Sequence, residues 1–160
     1  MRKNDSHLIK MRGMFLVQFL EDGKIVRDLG WRENQITDGG ILQFLVNALL
    51  PLATGKKIGW MSVGLGGAPI PGDNVLEDEI STRSAVTGTA IGSNKARFLA
   101  IFPSSSCLSA HPVTISNVGL FDSDIVATSV LFSGGLIDPL QNRIWLVNQA
   151  VNVTYDIEFV

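Results

Sequence analysis

The C-terminal stretch constrains this chain more than any other. From Val151 to Phe159 apolar and polar side chains alternate without a break. Val151, Val153, Tyr155, Ile157 and Phe159 take one set of positions, and Asn152, Thr154, Asp156 and Glu158 take the other. A strand turns successive side chains to opposite faces, so a period of two predicts a β-strand with one face on a core. A strand needs neighbours, and the chain supplies them. Residues 15–20 and 24–29 flank Glu21-Asp22-Gly23-Lys24, and Asp-Gly between two apolar-rich runs predicts a hairpin. Further strands are expected over residues 58–63, 83–91, 95–102, 113–121, 125–132 and 143–148. About eight to ten short strands with one helix predict a mainly β protein, an antiparallel β-sandwich or jelly-roll.

The helix is expected over about residues 39–53, opened by Thr37 or Asp38 as N-cap and ended by Pro51 and Gly55. Its interior polar residues, Gln43 and Asn47, are four apart and share one narrow stripe, while the other positions are apolar. Such a helix is buried around most of its circumference. One sheet covers one face, so the remainder requires a second sheet or a second chain. Residues 64–74 (GLGGAPIPGDN) read as a loop, and residues 75–80 as a strand or a short helical turn.

Composition supports burial on more than one side. The chain has 160 residues, enough for one domain with its own core, and 46% are apolar. Only 18% are charged, against roughly 25% in an average soluble domain. That excludes disorder, and it leaves few polar groups to cover a monomer, as expected of an assembly component. Thirteen Lys and Arg against fifteen Asp and Glu give a net charge of -2, with no basic surplus for nucleic acid or an anionic membrane. No apolar run approaches the roughly twenty residues of a membrane helix. Residues 14–20, behind Lys10 and Arg12, resemble a signal peptide. Gln18 interrupts them, Glu21-Asp22-Gly23 follows directly, and no small-residue cleavage site is present, so they read as a strand.

The chain divides into an extended basic arm, residues 1–12, and a single β-sandwich domain, residues 13–160. The arm, MRKNDSHLIKMR, sets Arg2, Lys3, Lys10 and Arg12 against Asp5 and shows no period. It is expected to clip onto a neighbouring subunit; packing back on its own domain is the alternative. With Leu45 and Leu49 of the helix and with Trp31 and Trp60, those four basic residues are the candidate interface.

Chemistry finds little foothold. Cys107 is the one cysteine, so neither a disulfide within the chain nor a cysteine zinc cluster can form, and His7 and His111 are too few for a histidine metal site. Gly64-Leu65-Gly66-Gly67 lacks the GxGxxG spacing, and Ala68-Pro69-Ile70-Pro71 cannot be the helix that binds a phosphate. Ser104, Ser105, Ser106 and Cys107 lie near His111 in a polar loop, without the strand-turn-helix elbow of a nucleophile. Glu77, Asp78 and Glu79, or Asp122 with Asp124, offer oxygen ligands outside any calcium-loop spacing. A salt-bridged edge with Arg83 is the competing reading. Trp31, Trp60 and Trp145 share no stripe and are expected in the core, one of them available to anchor an interface. No catalytic residue, cofactor or metal site is expected.

An ordered series of short motifs remains. Lys24 to Trp31 is followed by Asn34-Gln35-Ile36-Thr37-Asp38-Gly39-Gly40-Ile41, then Val63-Gly64-Leu65-Gly66, Pro71-Gly72-Asp73 and Leu76-Glu77-Asp78-Glu79. Ile115-Ser116-Asn117-Val118-Gly119-Leu120-Phe121 and the alternating C-terminal strand complete it. The series resembles small virion structural proteins of tailed bacteriophages, of the capsid decoration or cement type or the tail-collar and fibre-attachment type. Two positions depart from that pattern. Asn117 stands where the group carries a glutamate, and Arg83 lies one residue farther from Glu79.

The resemblance implies a non-enzymatic structural protein located in the virion and assembled in the bacterial host cytoplasm. A capsid decoration or cement protein is expected first, self-associating (a trimer foremost) and stabilising the shell by contacts with the major capsid protein. A tail-collar, baseplate or fibre-attachment piece bound to tail proteins is the alternative of the same class. With no fibrous extension after Val160, a full receptor-binding fibre is not expected. A β-sandwich carbohydrate-binding module is the alternative of another class, and it requires a tryptophan exposed on a concave face.

Overall fold

The computed structural model describes residues 10–46 and 55–160. The hairpin forms where Asp-Gly places it. Strand β1 (Met11–Glu21) turns into β2 (Lys24–Glu33) through Asp22 and Gly23, with φ of 49° and 74°. Two left-handed residues in a two-residue loop match the twist of the strands they join. The chain then leaves this sheet at Asn34 for β3 (Gln35–Ile36) and the helix start.

Thr37 is the N-cap. Its hydroxyl accepts from the Gly40 amide at 2.9 Å and donates to the Leu131 carbonyl, so it closes the helix and ties it to a strand. One turn, α1 (Asp38–Gly40), continues as a wider π-type helix over Ile41–Val46. Gly40 allows the close approach: a Cβ there would lie 2.2 Å from the Phe132 carbonyl oxygen. Phe44 is buried against Phe132, ring centroids 5.0 Å apart, whereas Ile41, Leu42 and Val46 are exposed. The expected all-round burial is therefore one-sided within the isolated chain. The rest of the expected helix, residues 47–53 with Leu49, lies outside the described residues.

The remaining strands are β4 (Trp60–Gly64), β5 (Ser84–Ala85), β6 (Thr87–Ile91), β7 (Lys95–Phe102), β8 (Val113–Thr114), β9 (Asn117–Phe121), β10 (Leu131–Leu136), β11 (Ile144–Trp145) and β12 (Ala150–Phe159). They form an antiparallel β-sandwich. One sheet runs β2-β1-β12-β7-β6 and the other β3-β10-β9-β4-β5, with β8 and β11 paired apart. The chain passes directly from one sheet to the other at Asn34 and again at Val86, which is why the expected strand 83–91 is two strands in different sheets.

The core lies between the sheets. Phe15, Val17 and Phe19 of β1 and Val151, Val153, Tyr155 and Ile157 of β12 meet Met61, Val63, Val118, Leu120 and Phe132. The second sheet is covered on its far face as well. There Trp60, Phe121 and Leu131, paired in one row across β4, β9 and β10, pack with Leu76 of the long loop after β4. Among the described residues the outer face of the first sheet has no such cover.

Three expectations are corrected. Residues 75–80 form a turn with Asp78 at φ 50° and an isolated bridge from Glu79 to Gly64, not a helical turn. Residues 125–132 start as a short 3-10 turn, Val126–Thr128, because Ser123 and Asp122 capture the amides of Ile125 and Val130 at 3.1 and 2.7 Å. The strand starts at Leu131. The two sides of β12 are not cleanly divided: on the polar side Asn152 and Glu158 are half-buried but Thr154 and Asp156 are buried, Asp156 under the Arg97 fork from β7, and on the core side Phe159 is exposed.

Tyr155, the one tyrosine, is fully buried with its ring stacked on Phe15 at 5.7 Å. Burial raises its phenol from the ordinary value near 10. Asn34 and Ser133 act the other way, but neither completes a hydrogen bond to the hydroxyl. The folded chain thus keeps a proton that the unfolded chain releases. That contribution is complete below pH 10 and is lost as pH rises beyond it, at about 1.4 kcal/mol per pH unit. Tyr155→Phe is expected to remove this slope and to change stability at pH 7 by less than about 1 kcal/mol. Urea midpoints of both proteins at pH 7 and pH 11 check it; a parallel decline of the two contradicts it.

Candidate functional site

The open face of the first sheet concentrates the unburied chemistry. Arg12 and Met14 of β1, Trp31 of β2, Lys95 and Arg97 of β7, and Asp156 and Glu158 of β12 line a shallow hollow of about 320 Å³. Arg97 grips Asp156 with two parallel bonds, Nε to Oδ1 and Nη2 to Oδ2, both 2.8 Å. That carboxylate raises the Arg97 guanidinium above its ordinary range. Lys95 Nζ stands 3.9 Å from both Asp156 and Glu158, and Arg12 bonds Glu33 at 3.2 Å. The Arg97 Cζ lies 5.6 Å from the centre of the Trp31 ring, which is 41% exposed. Cations and carboxylates pair off here, so the shelf is polar, electrically balanced and carries one open aromatic.

Two apolar hollows flank it. One, about 430 Å³, is lined by Met11, Gln35, Ile36, Ile41, Leu45 and Phe159, at the end where β1 and β12 meet the helix. The other gathers Leu20, Ile101, Pro103 and Val147 at the opposite end, with Ile101 55% and Val147 70% exposed. Strand β6 ends the first sheet, unpaired on its far side among the described residues, with all five residues exposed.

Sequence-predicted interface residues fall in different places. Arg2 and Lys3 lie outside the described residues, as does Leu49. Lys10 and Arg12 are not part of a free arm. Lys10 exchanges backbone hydrogen bonds with Val160, both 2.8 Å, and Arg12 is paired with Glu158 within β1. The sheet starts two residues before the expected boundary because β12 offers partners that far. Leu45 is half-buried at the rim of the first hollow. Trp60 is half-buried under the long loop, Trp145 is in the core, and Trp31 alone of the three is exposed.

The features weighed for catalysis or ion binding have other engagements. Glu77 accepts from the Gly67 amide at 2.6 Å, so a carboxylate already occupies the glycine loop. His111 turns Nδ1 to the Trp145 carbonyl and Nε2 to the Ser104 carbonyl, at 3.0 and 3.2 Å. It faces neither a serine hydroxyl nor the half-buried Cys107. Glu79 forks onto Arg83, and Asp122 pairs with Lys56. Among the described residues no three His, Cys, Asp or Glu side chains gather as metal ligands. No helix among them is long and apolar enough to cross a membrane.

Sequence reading missed the Arg97–Asp156 fork and the β6 edge. Register across β7 and β12 makes the fork, and nothing local announces it. The edge did carry a signal: no charged residue occurs from Ser84 to Asn94. Compared with family models, curated proteins and solved structures, the chain matches none.

Proposed function

We propose that this chain is a non-enzymatic structural subunit of a tailed-phage virion, a capsid decoration or cement protein that works by binding energy alone. The observation that carries the reading is the amount of apolar surface left open on a sandwich whose core is already complete. Ile41, Leu42 and Val46 of the helix, Ile101 and Val147 at the other end, and Leu140 at 93% exposure all face outward. Exposed apolar patches of this kind mark interaction surfaces. Copies that associate through them, and through contacts to the major capsid protein, stabilise the assembled shell by mass action without a chemical step. Attachment at the tail collar or baseplate uses the same surfaces.

Particles purified on a density gradient from the natural source test this. The chain is expected to band with them in stoichiometric amount, and removal of residues 1–9, which spares the Lys10–Val160 pairing, is expected to reduce its incorporation. A chain that stays at the top of the gradient contradicts the proposal.

A second reading rests on Trp31. An exposed indole beside a forked Arg97–Asp156 pair offers a stacking plane and polar partners to a neutral saccharide. A bound sugar shifts Trp31 fluorescence, and a glycan series that leaves emission unchanged removes this reading.

A further inference from the structure

The first sheet has two edges, and the sequence treats them in opposite ways. The β2 edge carries Lys24, Arg27, Asp28, Arg32 and Glu33, loses register with β1 twice and holds Gly30 at φ 72°. Charges and bulges are the means by which natural sheets keep an edge from pairing with another chain. The β6 edge has neither. Its register with β7 is unbroken from Thr87 opposite Leu99 to Ile91 opposite Lys95, and its five residues are uncharged and exposed. Every second residue of such a strand turns its N–H and C=O away from the sheet. Strands β3 and β5, at the edges of the second sheet, have two residues each and offer little to a partner.

We propose that β6 pairs antiparallel with β6 of a second copy about a twofold axis, joining their five-stranded sheets into one continuous sheet. The inference deepens the assembly reading above and rests on it. Chemistry of the strand selects the occupant. Pairing centred on Thr89 sets Thr89 opposite its own counterpart, Thr87 opposite Ile91, and Gly88 opposite Ala90. No like charges meet, and threonine pairs across strands are favourable. The β2 strand of a second copy, the other long edge, would bring five charged side chains to a strand with none to answer them. On the outer face Ile91 and Leu99, 40% and 37% exposed, extend the contact on both sides of the axis.

Thr89→Lys and Thr89→Asp place like charges across the proposed axis at an exposed position. Light scattering over a concentration series is expected to show the unmodified chain associated. Each variant alone is expected to associate at least tenfold more weakly, with an unchanged melting temperature. An equimolar mixture of the two is expected to recover association, since lysine then faces aspartate. Association that both variants leave intact overturns the β6 pairing and spares the assembly reading. Variants that weaken association but do not recover on mixing also overturn it, because β6 then meets something other than its counterpart. A monomeric unmodified chain overturns both. Hydrogen exchange adds a second readout: β6 amides are expected to exchange at least tenfold more slowly in the unmodified chain than in Thr89→Lys, and equal rates in the two overturn the pairing.

Discussion

Arg83→Met is expected to destabilise the fold by about 3–5 kcal/mol, because it leaves a carboxylate nearly buried without its partner. The Arg83 side chain is 1% exposed and Glu79 12%. The guanidinium donates Nε and Nη2 to Glu79 at 3.0 and 2.6 Å and Nη1 to the Ser123 carbonyl at 2.7 Å. Its Cζ lies 3.5 Å from the centre of the Phe121 ring. One side chain thus joins the turn after the long loop, the loop after β9 and the apolar row on the far face of the second sheet. Arg83→Met with Glu79→Gln is expected to recover most of the loss, since the buried charge is then gone. Urea denaturation of the single and double variants reads both effects. A single variant within about 1 kcal/mol of the parent contradicts this account, because that is the range of an exposed pair such as Arg12–Glu33.

Trp145→Ala is expected to cost a further 3–5 kcal/mol or so, and Trp31→Ala less than about 1 kcal/mol. The same truncation has opposite consequences because the two rings stand in opposite surroundings. Trp145 is fully buried, donates Nε1–H to the Gln149 carbonyl at 2.8 Å and meets His111 edge to face at 5.1 Å. Arg27, lowered in pKa by burial, fastens the same segment through the carbonyls of Asn142 and Ile144. Removing Trp145 leaves a cavity beneath strands that cannot collapse into it. Trp31 stands on an open shelf, so its loss removes contact surface and no core. Thermal unfolding of the two variants checks the contrast; equal losses would show that Trp31 is a core residue.

How much was legible in the sequence follows from which interactions are local. The Asp22-Gly23 turn, the Thr37 cap and the period of two in β12 are all written within a few residues, and each appears where the sequence places it. The strand expected over residues 125–132 is instead β10, which runs on through Ser133-Gly134-Gly135 to Leu136. These glycines sit inside the strand since Phe15 presses on Gly135, where a Cβ would come within 2.1 Å of its ring. That pressure comes from the other sheet, over a hundred positions away in sequence, and no window contains it. The same holds for the candidate site. The basic residues of the N-terminus were legible as charge, but Lys10 and Arg12 were claimed by β12, an alternative visible only once the register is known. The Arg97–Asp156 fork depends on that register too. The salt-bridged reading of Glu79 and Arg83 was open to sequence because the two lie only four positions apart.

The most direct test of the central claim, that this sandwich completes its surface with other copies, is the molar mass of the purified chain in moderate salt. Light scattering is predicted to give a multiple of 17.3 kDa that persists on dilution into the micromolar range, an even multiple where β6 pairs. A mass of 17.3 kDa at every concentration, from a chain that stays soluble, contradicts it.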